Sequence, residues 1–275
     1  MTFSQLCTRL ENAEISDAKR EAALLLEHFC GRPLCALEDE TDYASKALDR
    51  AVKKRCQHEP LQYLLGKWDF YHQTYFVTPD CLIPRSDTEI LVEEAIRVLP
   101  QGACFADLCT GSGCIGISIL CERPDTRCMA IDKFMRCVFL AIRNAVYNRV
   151  SDRFHASAID LFADAEIRFS LIEPFDAIVS NPPYIPSAVI PALSPEVRAE
   201  PVAALDGGED GLKFYRKILS FSKFLKPGGR MLLEIGYDQA DAVTSLAKEA
   251  GFSEIRVIKD LGGNDRVVSL LWQGA

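Results

Sequence analysis

Phe105-Ala106-Asp107-Leu108-Cys109-Thr110-Gly111-Ser112-Gly113-Cys114-Ile115-Gly116 decides the fold. An apolar run ends in a short loop with glycines at 111 and 113, and a stretch with helical texture follows at once. A strand that passes to a helix through glycines opens a βα unit, and main chain can approach a ligand closely there. The alternation continues outward. Apolar runs at 103–108, 126–131, 153–159, 175–180 and 229–235 are mostly separated by helical patterns at about 114–122, 134–149, 211–225 and 238–250. This predicts a parallel sheet covered on both faces. Two last runs, 253–259 and 265–272, have only Leu261-Gly262-Gly263-Asn264 between them, too short for a crossover helix. They must pair as a hairpin and add an antiparallel strand. The expected class is α/β with a mainly parallel, seven-stranded sheet.

Upstream the texture changes. Ala18, Ala22, Leu25, Leu26 and Phe29 recur at helical spacing, with Ser16 or Asp17 placed to cap the start and Gly31 and Pro33 to end the helix. Residues 43–58 repeat the pattern with Ala44, Ala47, Leu48, Ala51 and Val52. Residues 1–65 are therefore expected to form a small helical docking domain. Residues 66–84, with Trp68, Phe70, Tyr71, Tyr75, Phe76 and Val77, read as a β-hairpin linker. The α/β domain then spans 85–275, opening with a capped amphipathic helix that starts at Ser86 or Asp87.

Composition narrows the function. The 275 residues are 48% hydrophobic and 25% charged, the balance of an ordinary globular protein. A net charge of -8 argues against a phosphate-neutralising surface, so no direct nucleic-acid binding is expected. The run Lys53-Lys54-Arg55 reads as a solvated helix face. Eleven cysteines never form a Cys-x-x-Cys pair, and several (Cys104, Cys109, Cys114, Cys128) fall in apolar runs. They read as small hydrophobes in a reducing compartment, not as zinc ligands or disulfides. Neither a signal peptide nor a membrane-length apolar run is seen, so a cytoplasmic protein without metal or membrane is expected, acting as a monomer.

The candidate site lies at the strand ends. The loop Cys109-Thr110-Gly111-Ser112-Gly113 reads as a nucleotide-type site. Asp132 ends the next strand, about 20 residues on, where a carboxylate can accept from both ribose hydroxyls or cap the following helix. Asp160 closes the third strand ahead of Leu161 and Phe162, a carboxylate with apolar walls suited to an adenine, or another helix cap. Asn181-Pro182-Pro183-Tyr184 follows the fourth strand, and its prolines hold Asn181 and Pro182 extended. The Asn181 side-chain oxygen and the Pro182 carbonyl offer two acceptors, which match the two donors of an NH2 group. Tyr184 can supply a flat wall. Hydrogen bonds that strengthen as the nitrogen becomes positive stabilise the transition state of an in-line methyl transfer from a sulfonium. None of His28, His58, His72 and His155 lies in these motifs, and no general base is required.

With these residues in hand, the chain resembles the protein-(glutamine-N5) methyltransferases of peptide-chain release factors over essentially its whole length. Carrying the resemblance are Asn181-Pro182-Pro183-Tyr184, Leu82-Ile83-Pro84-Arg85-Ser86-Asp87-Thr88-Glu89, the segment from Glu200-Pro201 to Gly211-Leu212, and the stretch from Lys259-Asp260-Leu261 to Asp265-Arg266-Val267. It implies a Rossmann-like class I methyltransferase fold, S-adenosylmethionine as methyl donor, and methylation of the glutamine amide in a release factor's Gly-Gly-Gln motif, with the helical domain holding the factor. By the same resemblance Asn181, Pro182, Pro183 and Tyr184 form the glutamine pocket, Cys109 to Gly113 and Asp132 hold the cofactor, and Leu161 stands at its adenine end. Asp160 and Asn181 complete the expected cofactor contacts. The family usually begins its loop with glycine where this chain has Cys109. Because a side chain strains a left-handed backbone, a negative φ or a shifted loop is expected there. Two other enzyme readings use the same acceptors: methylation of an adenine or guanine amino group, and methylation of a ribosomal-protein glutamine. A noncatalytic cofactor sensor is a third alternative.

Overall fold

The computed structural model describes residues 1–32, 41–163, 165–170 and 172–274, so Pro33, expected to end a helix, lies outside the described residues. Four helices come first, α1 (Phe3–Glu11), α2 (Ala18–Cys30), α3 (Lys46–Arg55) and α4 (Leu61–Leu65), then a hairpin of β1 (Lys67–Phe70) and β2 (Gln73–Phe76). Next are α5 (Glu89–Val98), β3 (Cys104–Leu108), α6 (Cys114–Glu122), β4 (Arg127–Asp132), α7 (Met135–Tyr147), β5 (Phe154–Ala158), α8 (Ala165–Phe169) and β6 (Phe175–Ser180). The remaining elements are α9 (Pro195–Arg198), α10 (Lys213–Leu219), β7 (Leu225–Glu234), α11 (Ala240–Glu249), β8 (Ser253–Lys259) and β9 (Asp265–Leu271). They fall into two compact units, Met1–Lys67 with Leu193–Glu200, and Trp68–Ala192 with Pro201–Ala275.

The first unit is helical because its apolar residues recur every three or four positions. Leu6 and Leu10 of α1, Ala22, Leu25 and Leu26 of α2, and Leu48 and Val52 of α3 are fully buried. Thr2 and Gln5 close a capping box at the start of α1. At α2 the expected side-chain cap is not made: Asp17 stands at the N-cap position and its carboxylate lies 3.7 Å from Arg20 instead. Gly31 ends the helix in the left-handed conformation, φ +65°. The basic run is not a solvated face throughout. Arg55 is buried, with Nη2 3.1 Å from Glu21 Oε1 and 3.3 Å from Glu196 Oε1, because these two carboxylates from other segments neutralise it.

In the second unit the strand order is β5-β4-β3-β6-β7-β9-β8, with β9 antiparallel to both of its neighbours, β7 and β8, and the other pairs parallel. Alternate residues serve opposite faces. Phe105, Val179 and Leu232 pack in one cluster with Leu91 of α5, Ile117 of α6 and Ala141 of α7. Ala106, Ile178 and Met231 join the other with Phe169 of α8, Tyr215 of α10 and Val243 of α11. Each fully buried large side chain contributes about 1.5–3 kcal/mol. The helix expected after Arg85 begins as a 3-10 turn, Ser86–Thr88, with no side-chain cap. Asp87 pairs with Arg266 at 3.2 Å instead, and Thr88 is buried. Among the described residues no helix is long and apolar enough to cross a membrane.

One topological fact positions the site. From β3 the chain builds outward through β4 and β5, then returns to β6 on the other side of β3 and builds the opposite way. The loops after β3 and β6 therefore diverge at the carboxyl edge and leave a crevice, the usual ligand position in open α/β sheets.

Candidate active site

That crevice is a cavity of ≈ 290 Å³, near the lower end of the size of small-molecule pockets. Its wall includes Cys109, Thr110, Gly111, Ser112, Asp132, Asp160, Leu161, Asn181 and Pro183, and also Thr88, Phe162 and Phe214. Gly113, Pro182 and Tyr184 do not contribute to the wall.

The loop after β3 is left-handed three times, at Cys109 (φ +59°), Gly111 (+55°) and Gly113 (+82°). The expected negative φ at Cys109 is thus corrected: the chain keeps the conformation natural to glycine and carries a side chain there, at a cost of about 1–2 kcal/mol. The thiol lines the cavity without closing it, and burial raises its pKa well above the ordinary value. A Cβ on Gly111 would meet nothing within 4 Å, whereas one on Gly113 would come 2.9 Å from Ile117 Cδ1 and 3.1 Å from Ala141 Cβ. Gly113 therefore serves helix packing, which explains its place outside the wall.

Side chains the sequence reading missed hold this loop. Asp107 Oδ2 accepts from Thr110 Oγ1 at 2.6 Å and from the Gly116 amide at 3.1 Å, while Oδ1 has no partner among the described residues. Burial pushes this carboxyl up to about 7 against the pull of those two donors. Asn144 of α7, fully enclosed, donates to the Ser112 carbonyl at 2.8 Å and exchanges two bonds with Phe76 of β2. A carboxylate inside a strand and an amide inside a helix give no motif, so only the unpaired polarity within an apolar run could have signalled them.

Asp132 ends β4 and accepts from the Gly111 amide at 3.0 Å through Oδ2 and from the Phe134 amide at 2.9 Å through Oδ1. It does not occupy the N-cap of α7, which is Phe134. Burial raises its pKa, and the two main-chain donors oppose that. Asp160 holds the Phe162 amide at 2.9 Å and the Lys133 ammonium at 2.9 Å, and these two, the amide first, lower its pKa. Leu161 is buried beside it, and the Phe162 and Phe214 rings meet edge to face at 5.3 Å.

Across the crevice Asn181 donates through Nδ2 to Thr88 Oγ1 at 3.1 Å. Pro182 and Pro183 are buried. Tyr184 does not line this cavity: it packs against the core cluster under α8, α10 and α11, and its carbonyl accepts from Gln239 Nε2 at 2.9 Å. A tight turn clamps the tetrapeptide. A Cβ on Gly207 would lie 2.8 Å from both Tyr184 Cα and Tyr184 C, and Gly207 N donates to the Ile185 carbonyl at 2.8 Å. None of the four histidines lines the cavity, and His58 and His72 pair with Glu196 and Glu122. The described residues hold no cluster suited to a metal ion.

The profile described as the PrmC N-terminal domain matches residues 3–66, and that of the methyltransferase small domain matches residues 86–194. The release factor glutamine methyltransferase of Geobacter sulfurreducens is 43% identical over 224 residues, covering 79% of this chain and 75% of that protein. The proteins of the same name from Caulobacter vibrioides and Salmonella typhimurium are 37% and 39% identical, covering 94% and 90% of this chain and 91% and 90% of theirs. Among solved structures a methyltransferase from Pyrococcus furiosus shares the fold, with a TM-score of 0.53 at 18% identity over 73% of this chain and 89% of that one. With identity of 37–39% over nine-tenths of the chain and a matching N-terminal domain, the chain belongs to the release factor glutamine methyltransferase family.

Proposed function

We propose that this protein transfers a methyl group from S-adenosylmethionine to the side-chain amide nitrogen of the glutamine in the Gly-Gly-Gln motif of peptide-chain release factors. The observation that carries the reading is Asn181 on the cavity wall, with its Nδ2 committed to Thr88 and its Oδ1 left to accept from a substrate NH2. In this reading the Pro182 carbonyl is the second acceptor, next along a backbone that two prolines hold extended. Pro183 completes the glutamine pocket from the cavity wall, and Tyr184 steadies the tetrapeptide from behind through its packing and its bond from Gln239.

The cavity fits the cofactor. Each Asp132 oxygen accepts one main-chain N–H and keeps a lone pair for a ribose hydroxyl. Leu161, Phe162 and Phe214 give apolar surface for an adenine, with Asp160 at its edge. The loop from Cys109 to Gly113 presents main chain, and the open side of Gly111 leaves room for close approach. When bound, the cofactor supplies an electrophilic methyl on a sulfonium. The chain's part is to hold the amide nitrogen in line with that methyl, to accept both of its hydrogens, and so to favour the positive nitrogen of the transition state. The proton leaves afterward to water. The helical unit holds the release factor, and the enzyme works as a cytoplasmic monomer with no nucleic-acid contact. The acidic balance, net charge -8, supports a protein substrate.

Mass spectrometry of a release factor before and after treatment tests this. The expected outcome is one methyl on the Gly-Gly-Gln peptide, and label appearing only in nucleic acid would overturn the reading. Asn181→Ala is expected to lower kcat by about 10²–10³-fold while cofactor affinity by calorimetry stays within a few-fold.

A further inference from the structure

Behind Asn181 stands a buried carboxylate that the transfer step does not use. Glu234 closes β7 with 1% of its surface exposed, and its Oε2 has no hydrogen-bond partner among the described residues. Its main-chain carbonyl accepts from the Tyr215 hydroxyl at 2.9 Å, so the backbone is fixed there. Thr88 and Asn181 both lie close enough to its carboxylate to pull its pKa down against burial. The titratable and charged groups around it are Asp87 before α5, Cys114 of α6, Tyr184 after β6, Tyr215 of α10 and Arg266 of β9.

A hydroxyl has a single hydrogen. Since Thr88 Oγ1 accepts from Asn181 Nδ2, that hydrogen can go to Glu234, and an ionised carboxylate can only accept it. An ionised Glu234 therefore favours donors that run one way, from the Asn181 amide to the Thr88 hydroxyl and on toward the carboxylate. A neutral carboxyl could donate to Thr88 instead and reverse the hydroxyl. Thr88 would then offer its hydrogen to the Asn181 oxygen, turning the amide so that NH2 faces the cavity and meets the substrate NH2 donor to donor.

We propose that Glu234 is a positioning residue, acting through Thr88, that fixes which end of the Asn181 amide faces the substrate nitrogen. The proposal rests on the reading of Asn181 given above. Burial pushes the Glu234 carboxyl up to about 7, opposed by Thr88, Arg266 and Asn181 and reinforced by Asp87. The orientation is thereby sensitive to pH in the neutral range. Asp107 is also raised to about 7 on the cofactor side, so cofactor affinity is measured separately at every pH.

The experiment uses the full chain and an intact release factor, reading kcat and KM by mass spectrometry, cofactor Kd by calorimetry and folding by thermal melts, from acidic to basic pH. Wild-type kcat is expected to fall about tenfold per pH unit below about 7, as for one required ionised group. Glu234→Gln cannot titrate and can present either end of its amide to Thr88, so it lowers kcat at high pH and abolishes that limb. Thr88→Val breaks the relay and lowers kcat on the order of 10- to 100-fold with cofactor Kd nearly unchanged, as for other groups that orient a reacting residue. Thr88→Ser, which keeps the hydroxyl, restores most of the loss. An acidic limb that survives in Glu234→Gln, or a Thr88→Val enzyme with wild-type kcat, overturns the proposal while leaving the substrate reading intact. A wild-type enzyme that leaves the Gly-Gly-Gln glutamine unmodified overturns that reading and the proposal together.

Discussion

Asp107 and Glu234 invite comparison. Both sit near the carboxyl ends of strands in one sheet, both are fully buried, both are pushed by burial up to about 7, and each keeps one oxygen without a partner among the described residues. They differ in what they face. Asp107 gathers a main-chain amide and the Thr110 hydroxyl on one oxygen and so holds the loop after β3, whereas Glu234 has Thr88 and Asn181 close enough to lower its pKa. The same enclosed group thus fixes a backbone on one side of the crevice and a side-chain orientation on the other.

The comparison is broken most strongly by neutralising each carboxyl and following stability against pH. Both folded pKa values, about 7, lie above the unfolded values of 3.8 and 4.5, so the native state keeps a proton that the unfolded state has lost. The stability linked to each group is full below its unfolded value and is lost as pH rises through about 7. Relative to Asp107→Asn the wild type should lose up to roughly 4 kcal/mol over that range, and relative to Glu234→Gln roughly 3 kcal/mol, by denaturant titration. Cofactor Kd should move in Asp107→Asn only. Parallel effects of the two variants on Kd and kcat would erase the distinction.

Next comes the clamp. Gly207→Ala places a methyl against the Tyr184 backbone and should cost about 1–3 kcal/mol with a fall in kcat, because the tetrapeptide must shift. Unchanged melting and turnover would show that the turn does not hold it. The smallest effect is expected on the cofactor side. Cys109→Gly removes left-handed strain but adds chain entropy to the unfolded state, leaving a gain of at most about 1 kcal/mol in a thermal melt. A loss of stability would mean that the thiol's packing outweighs its strain.

What was legible in the sequence follows from what has a period. The strand-helix alternation gave every strand of the large sheet and the closing hairpin, since burial on alternate or adjacent faces dictates residue type. The loop and the tetrapeptide were legible because glycine and proline restrict backbone locally. Arg55, Thr88, Asn144 and Glu234 were not, because their roles depend on partners 32 to 146 positions away or on which side of a helix meets a strand. Thr88 sits in a helix onset, and only its neighbour across the fold makes it part of the site. Gly113 and Tyr184 were read into the cavity from their place in a motif, and packing turned both outward from it.

The first unit borrows a stitch from far down the chain. Arg55 needs Glu196 as well as Glu21, so the ribosome must deliver some two hundred residues before that guanidinium can be fully neutralised. A fragment cut after residue 67 would carry the arginine with half its counter-charge, and should be expressed together with the later strip or not at all.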